Sequence, residues 1–123
     1  MNNKILLIDL DMFNGKGIAQ MLSGYDVILI ETFQEFLNLT NETLASVDLV
    51  VVAHDGYSDD GAGDTLRELK KRAEAAEIKN MNILCYSTDV SIRKTLGDLA
   101  DVFVIMPGPG QFNWIKACVE DFF

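Results

Sequence analysis

The residues that could form one chemical site stand where predicted hydrophobic strands end: Asp9, Asp11, Ala53, Ser87 and Met106. Asp9 and Asp11 follow the first strand at positions i and i+2, where two carboxylates could share a divalent cation or simply end the strand in solvent. Mg²⁺ suits such a pair, because it is commonly bound through one or two carboxylates and several waters. Ser87 adds a hydroxyl group, whereas Ala53 and Met106 add no group that binds a charged ligand.

A loop rich in glycine and aspartate follows Ala53. His54 can carry a phosphoryl group, and a bulge could bring the Asp55 carboxylate towards the strand ends, so both stay open as substitutes at the site. The run from Gly56 to Gly63 is typical of turns. It does not match a calcium loop, because Tyr57 stands where an EF-hand needs an acid.

A second glycine-containing segment, Asn14-Gly15-Lys16-Gly17, lies near the start of the first predicted helix. Backbone N–H groups at a helix start can bind anions. The segment lacks the spacing of a Walker motif or a dinucleotide-binding fingerprint. It is therefore interpreted as a chain reversal.

The elements that must position these residues are predicted from hydrophobic patterning. Nearly continuous apolar runs, typical of parallel strands buried on both faces, cover Ile5 to Ile8, Val27 to Ile30, Leu49 to Ala53, Ile83 to Tyr86 and Val102 to Ile105. Helical spacing predicts Phe13 to Leu22, a helix behind Thr32 that carries Phe33, Phe36, Leu37 and Leu44, and then Asp64 to Glu77, Ser91 to Leu99 and Phe112 to Phe123. Thr32 is expected to cap its helix with Glu35 as the capping-box partner.

This alternation predicts an α/β fold of the flavodoxin-like type: a doubly wound, five-stranded parallel sheet with helices on both faces. No linker, repeat or low-complexity segment interrupts it, so residues 1–123 are expected to form a single domain. In such a sheet, ligands bind at the carboxyl ends of the strands.

The charge of the chain is strongly acidic, with a formal net charge of −9. Direct binding to nucleic acid is therefore not expected, because phosphate contacts need lysine and arginine. The basic residues that cluster on one predicted helix are Arg67, Lys70, Lys71 and Arg72, and glutamates are interleaved with them. This pattern is interpreted as a solvated helix face.

Hydropathy and cysteine usage predict a cytoplasmic protein. The chain is 49% hydrophobic and 24% charged, which is typical of a globular domain. No apolar run is long enough to cross a bilayer, and the start lacks the pattern of a signal peptide. Cys85 and Cys118 lie in apolar segments without metal-ligand spacing, so two reduced thiols are expected.

Four segments at the strand ends resemble the response-regulator receiver domain of bacterial two-component signalling, which has a CheY-like fold. KILLIDLD is similar to the receiver opening, DLVVVAHDG to its third strand, NILCYST to its fourth and ADVFVIMP to its fifth. The resemblance covers essentially the whole chain. It implies a phospho-acceptor aspartate five residues after Asp48, at the position of Ala53. It also implies a hydroxyl at Ser87, a switching aromatic at Phe103 and a lysine at the position of Met106.

The departures from the receiver pattern concern its chemistry. Receiver phosphorylation needs a carboxylate nucleophile, a metal held by neighbouring acids, and a cation for the phosphoryl oxygens. Ala53 has no nucleophile, Met106 has no charge, and Leu10 replaces one acid of the usual pair. The vestigial pocket therefore predicts a pseudo-receiver that is not an enzyme and needs no cofactor, although Asp9 and Asp11 could still hold Mg²⁺.

The resemblance implies protein–protein interaction in signal transduction as the remaining role. The receiver family binds through its fourth helix, fifth strand and fifth helix, which correspond to residues 90–123 here. The candidate interaction residues in that span are Arg93, Lys94, Phe103, Phe112 and Trp114. The expected partner is a protein of a signalling pathway, and a homodimer is also compatible with the sequence. The apolar Phe122 and Phe123 are expected to pack against something, on this chain or on another.

An alternative resemblance is to haloacid-dehalogenase-like phosphatases, whose first strand ends in Asp-x-Asp as LLIDLDMF does. It implies that Asp9 is the nucleophile and Asp11 the acid/base, with Ser87 or Thr32 as the phosphate-binding hydroxyl. The glycine-threonine that follows Asp-x-Asp in that family is replaced by Met12 and Phe13. The acidic motif that this family carries at the end of a later strand is also missing.

Overall fold

A five-stranded parallel sheet is the centre of the fold in a computed structural model, which describes residues 3–9, 15–53, 61–78, 81–87, 100–105 and 113–123. The strands are β1 Lys4–Ile8, β2 Asp26–Ile30, β3 Leu49–Ala53, β4 Ile83–Ser87 and β5 Val102–Ile105. Their order across the sheet is β2-β1-β3-β4-β5, and each neighbouring pair is parallel. This is the flavodoxin-like order, and every predicted strand is confirmed to within one residue.

Two aspartates fix the register at the amino-terminal edge of the sheet. Asp48, one residue before β3, accepts a hydrogen bond from the Lys4 N–H at 2.8 Å and donates its own N–H to the Lys4 carbonyl at 2.8 Å. Asp101, one residue before β5, makes the same pair of contacts with Ile83 of β4, at 2.7 and 2.8 Å. Each aspartate therefore joins the starts of two strands that are distant in the sequence.

The helices that the structure describes are α1 Gly15–Met21, α2 Phe33–Leu37, α3 Asn41–Ser46, α4 Gly61–Ala75 and α5 Asn113–Phe122. Strand residues alternate between the two faces of a sheet, and two separate cores follow. The α1/α5 core joins Ile5, Leu7, Ile18, Leu22, Leu49, Val51, Ala53, Leu84, Tyr86, Val104, Ile115 and Val119. The α2–α4 core joins Leu6, Ile8, Ile30, Phe36, Leu44, Val50, Val52, Leu66, Leu69, Ile83 and Cys85. Helices therefore cover both faces, as predicted.

The connection after β2 differs from the single helix expected there. Thr32 caps α2 as predicted, because its hydroxyl accepts from the Glu35 N–H at 3.1 Å and the Glu35 carboxylate accepts from that hydroxyl at 3.2 Å. The helix ends after five residues, and Thr40 begins a second one by accepting from the Thr43 N–H at 3.1 Å. A second capping threonine thus divides the predicted helix into α2 and α3.

Arg72 on α4 holds the end of α2 in place. Its guanidinium donates to the Phe36 carbonyl at 3.2 Å and also to the Leu39 carbonyl. The last carbonyls of a helix have no partner inside the helix, and a basic side chain can satisfy them. The contact therefore fixes α2 against α4 in addition to their shared core.

Other helix bounds also depart from the sequence predictions. The predicted start of α4 at Asp64 is wrong, because the helix begins at Gly61 within the segment interpreted as a loop. The closing helix is described over Asn113–Phe122, and its predicted start at Phe112 lies outside the described residues. The helix predicted for residues 91–99 lies outside the described residues. In the part of the chain that is described, no helix combines the length and apolar character needed to cross a membrane.

The two cysteines differ in burial, and this difference predicts their reactivity. Cys85 is fully buried on β4, whereas Cys118 on α5 is half-buried. Burial raises the pKa of the Cys85 thiol from 9.0 to about 12, so at pH 8 only on the order of one thiol in ten thousand is the reactive thiolate. We expect iodoacetamide to alkylate Cys118 in the native protein and to reach Cys85 only after unfolding, as followed by peptide mass spectrometry.

The matched variants Cys85→Ser and Cys118→Ser provide the control for this labelling. The Cys118→Ser protein should stay unlabelled until denaturant is added, and the Cys85→Ser protein should be labelled at once. Between pH 9 and 12 the Cys85 thiol is protonated in the folded state and ionised in the unfolded state. The free energy of unfolding is therefore unaffected by this group below pH 9 and falls as the pH rises from 9 towards 12. Equal labelling rates for the two native thiols would contradict the buried position of β4.

Candidate functional site at the carboxyl edge of the sheet

The candidate site lies where the strand order reverses, between β1 and β3. The register pairs Ile8 of β1 with Val52 of β3, so the next residues, Asp9 and Ala53, lie side by side at the carboxyl edge. Neighbouring strands are about 4.8 Å apart. The two positions meet at the switch point, where flavodoxin-like folds bind ligands.

Asp9 is fully buried, although it follows the strand and carries a carboxylate. Its N–H donates to the Ile30 carbonyl at 2.9 Å, which continues the pairing between β1 and β2 past the end of β1. The side chain turns towards the start of α1, where one carboxylate oxygen, Oδ2, lies 3.3 Å from the position that a Cβ of Gly15 would take. A negative group beside the first turn of a helix is favoured by the helix dipole.

Gly15 is the residue that makes room for Asp9. A Cβ at this position would lie 2.9 Å from Leu29 Cδ1 and 3.1 Å from Asp9 Cβ, both shorter than ordinary carbon contacts. Gly15 is buried and is the first residue of α1. The interpretation of residues 14–17 as a chain reversal is therefore wrong for Gly15. The glycine at the predicted helix start was the available signal for this close approach.

Ala53 ends β3 with a side chain that is only 6% exposed. Its methyl group belongs to the α1/α5 core together with Val51 of its own strand and Leu84 and Tyr86 of β4. The last residue of β3 therefore presents an apolar surface beside the Asp9 carboxylate. A carboxylate nucleophile is absent at this position because alanine has no functional group.

Ser87 ends β4 and is also buried, with 1% exposure. Tyr86 points into the α1/α5 core, and strand residues alternate, so Ser87 belongs to the opposite face of the sheet. β3 lies between β4 and β1, which separates Ser87 from Asp9 by about 10 Å across two strand spacings. The Thr32 hydroxyl, the other candidate for phosphate binding, caps α2. Neither hydroxyl stands directly beside Asp9 on a neighbouring strand and the same face.

The remaining predicted pocket residues lie outside the described residues: Asp11, His54, Asp55 and Met106. Within the described ranges, no group of three or more His, Cys, Asp or Glu side chains is arranged to hold a metal ion. Of the predicted Mg²⁺ pair, the structure therefore positions Asp9 only. A binding role for the pair stays a prediction.

The predicted interaction surface is described only in part, because Arg93, Lys94 and Phe112 lie outside the described residues. Phe103 on β5 is half-buried against the α2–α4 core, whereas α5 packs on the other face of the sheet. Trp114 on α5 is 51% exposed. Phe103 and Trp114 thus lie on opposite sides of the edge strand β5.

The aromatic end of the chain packs against its own fold. The Phe123 ring lies 5.3 Å from the Tyr25 ring and 5.4 Å from the Phe122 ring, measured between centroids. Aromatic pairs at this distance stabilise by about 0.5–1.5 kcal/mol beyond their buried area. The expectation that the terminal phenylalanines pack against something is confirmed for this chain itself. Both rings also keep exposed surface.

A comparison of the chain with protein-family models finds no match, and a comparison with curated proteins finds none either.

Proposed function

We propose that this chain is a cytoplasmic, receiver-like module that acts in signal transduction through protein–protein contact and without phosphorylation. The observation that carries this proposal is the position of Ala53 beside Asp9, one residue past the paired Val52 and Ile8, at the switch point of a β2-β1-β3-β4-β5 sheet. A receiver needs its acceptor carboxylate at the end of β3, and a methyl group of the α1/α5 core stands there instead.

The chemistry of the site supports this proposal step by step. Transfer of a phosphoryl group to a receiver requires a nucleophile whose oxygen is open to the donor. Asp9 is the neighbouring carboxylate, but it is fully buried and faces the start of α1. A carboxylate in that position can interact with a cation or with the first turn of α1. It does not supply the nucleophile that is missing at the end of β3.

The surface of the fold offers what an interaction module requires. Trp114 on α5 exposes about half of its side chain, with 51% accessible. Tryptophan is enriched among the residues that contribute most to binding energy. We propose that α5 with its neighbouring edge strand contacts the signalling partner in one fixed conformation.

The test of the missing phosphorylation compares melting temperatures with Mg²⁺ alone and with Mg²⁺ plus beryllofluoride, which mimics a phosphoryl group. A ligand that binds only the folded state raises the melting temperature in proportion to its binding free energy. We expect a change below about 1 °C, against several °C for a domain with a working acceptor site. Incubation with acetyl phosphate should leave the intact mass unchanged.

The variant Asp9→Ala separates the outcomes that would contradict this proposal. A beryllofluoride-dependent rise in melting temperature that disappears in Asp9→Ala would show a working phosphorylation site. Hydrolysis of p-nitrophenyl phosphate that is lost in the same variant would instead support the phosphatase alternative. An absence of both responses is the result we expect.

A further inference from the structure

Two apolar side chains on α2 point away from the core into solvent. Phe33 is 54% exposed and Leu37 is 50% exposed, whereas Phe36 between them is fully buried. Positions i and i+4 lie on the same face of a helix, so Phe33 and Leu37 form one apolar wall about 6 Å long. Large exposed apolar side chains that stand together often mark an interaction site.

The opposite wall of the same groove is formed by α4. Arg67, Glu68 and Lys71 face Phe33 and Leu37 across a groove of about 480 Å³. Arg67 and Lys71 are also an i,i+4 pair, and both are exposed, so one helix face presents two cations. Glu68 is half-buried on an adjoining position. The charged side chains that line the groove are therefore two cations and one carboxylate, in a chain whose net charge is −9.

The two walls are held at a fixed separation. Phe36 on α2 and Leu69 on α4 share the α2–α4 core, and the Arg72 guanidinium joins α4 to the end of α2 at the Phe36 carbonyl. A binding surface that is already formed loses less conformational entropy when its ligand docks. The groove is therefore preorganised by contacts that do not involve its own lining residues.

We propose that the groove between α2 and α4 binds an acidic amphipathic helix of a partner protein. Such a helix presents apolar side chains at i and i+4 to Phe33 and Leu37, and carboxylates on the adjoining positions to Arg67 and Lys71. Opposite charges across an interface set orientation and partner choice. A second copy of this chain is a less suitable occupant, because two bodies of charge −9 repel each other at long range. The residues that line the groove are not among the predicted pocket residues, so this inference does not depend on the receiver-like proposal.

The probe is a fluorescein-labelled peptide of about 15 residues, long enough to populate a helix, with leucines at i, i+4 and i+7 and glutamates beside them. A matched peptide carries lysine in place of every glutamate. By fluorescence anisotropy, the glutamate peptide should bind the full chain at least about tenfold more tightly than the lysine peptide, and added salt should weaken it. The double variant Phe33→Ser/Leu37→Ser should reduce its affinity by at least about tenfold.

Matched control variants test each wall separately. Lys71→Glu should reduce binding of the glutamate peptide, whereas Lys70→Glu, the same charge change on the next residue, should not, because Lys70 lines a different groove with Ala73 and Ile78. Trp114→Ser removes an equally exposed apolar side chain from α5 and should change the affinity by less than about twofold. That control also separates this groove from the α5 surface, so either proposal can fail alone. Unchanged melting curves would confirm that each variant folds.

Three results would overturn the proposal. The first is equal behaviour of the unmodified chain and the Phe33→Ser/Leu37→Ser variant towards the glutamate peptide, whether as equal affinities or as no binding by either at millimolar concentration. The second is equal affinity for the glutamate and lysine peptides, which would leave no role for the cationic wall. The third is a dimer, detected by sedimentation, that dissociates in the double variant, because it would assign the groove to a second copy of the chain.

Discussion

Replacing Ala53 with aspartate is expected to lower the free energy of unfolding by about 3–5 kcal/mol, the usual cost of an uncompensated buried charge. The new carboxylate would enter a position that is 6% exposed and belongs to the α1/α5 core. It would also lie one strand spacing, about 5 Å, from the buried Asp9 carboxylate. Two negative groups this close disfavour each other's ionised form. The loss can be measured by urea denaturation at neutral pH.

The variant Ala53→Asn separates the effect of the charge from that of the added volume, because asparagine has the same shape as aspartate. Asparagine should destabilise much less than aspartate, and the difference between the two should shrink as the pH falls, because a carboxyl group with a raised pKa regains its proton first. If Asp9 can bind a cation, Mg²⁺ should restore part of the stability of Ala53→Asp. It should have no such effect on Ala53→Asn. Equal stability of the aspartate and asparagine variants would contradict the buried, paired geometry of residues 9 and 53.

Gly15→Ala is expected to destabilise the protein by about 1–3 kcal/mol, the range typical of an added methyl group in a packed interior. The new Cβ would stand 2.9 Å from Leu29 Cδ1 and 3.1 Å from Asp9 Cβ, so a strand side chain or the first turn of α1 must move. In an ordinary helix the same substitution stabilises, because alanine is the better helix former. The predicted sign is therefore opposite to the expectation from helix propensity.

Gly24→Ala is the matched control for this prediction. A Cβ at Gly24 would meet nothing within 4 Å, so the substitution should be neutral or should stabilise by about 0.4–1 kcal/mol through the unfolded chain. Thermal melts of the two variants give the comparison directly. Equal melting temperatures for Gly15→Ala and Gly24→Ala would mean that α1 does not approach Asp9 as closely as described.

The strands could be predicted from the sequence because burial on both faces leaves a continuous apolar run. LVVVA became β3 at its predicted bounds, and its residues are all buried. Helix bounds were harder to predict, because they depend on which polar side chain hydrogen-bonds to the backbone at the helix end. The spacing of Phe36, Leu37 and Leu44 alone favours one longer helix. The hydroxyl of Thr40 instead caps a second helix, which divides the predicted one.

The adjacency of Asp9 and Ala53 could be predicted, because it follows from the order of the parallel strands in the sheet. The burial of Asp9 was not, since it depends on how closely α1 approaches the end of β1. That distance is set by Gly15 and by the packing of Leu29. The glycine in the sequence permits a close approach but does not say which residue approaches it. The groove was missed for a similar reason. Phe33 and Phe36 look alike in sequence, and only the orientation of a five-residue helix decides that one is exposed and the other buried.

The parallel register of the sheet has a consequence for the order in which the chain can fold. Two parallel strands cannot be joined by a short hairpin. The hydrogen bonds between them can therefore form only after the longer crossover connection has been made. Lys4 pairs with Asp26, and Ile5 pairs with Leu49, which leaves the interior strand β1 without its second neighbour until β3 has been synthesised. Contacts that join such distant residues slow folding. The Asp48 carboxylate, which accepts a hydrogen bond from the Lys4 N–H just before β3 begins, can therefore act only once β3 has been synthesised, when β1 gains its second neighbour.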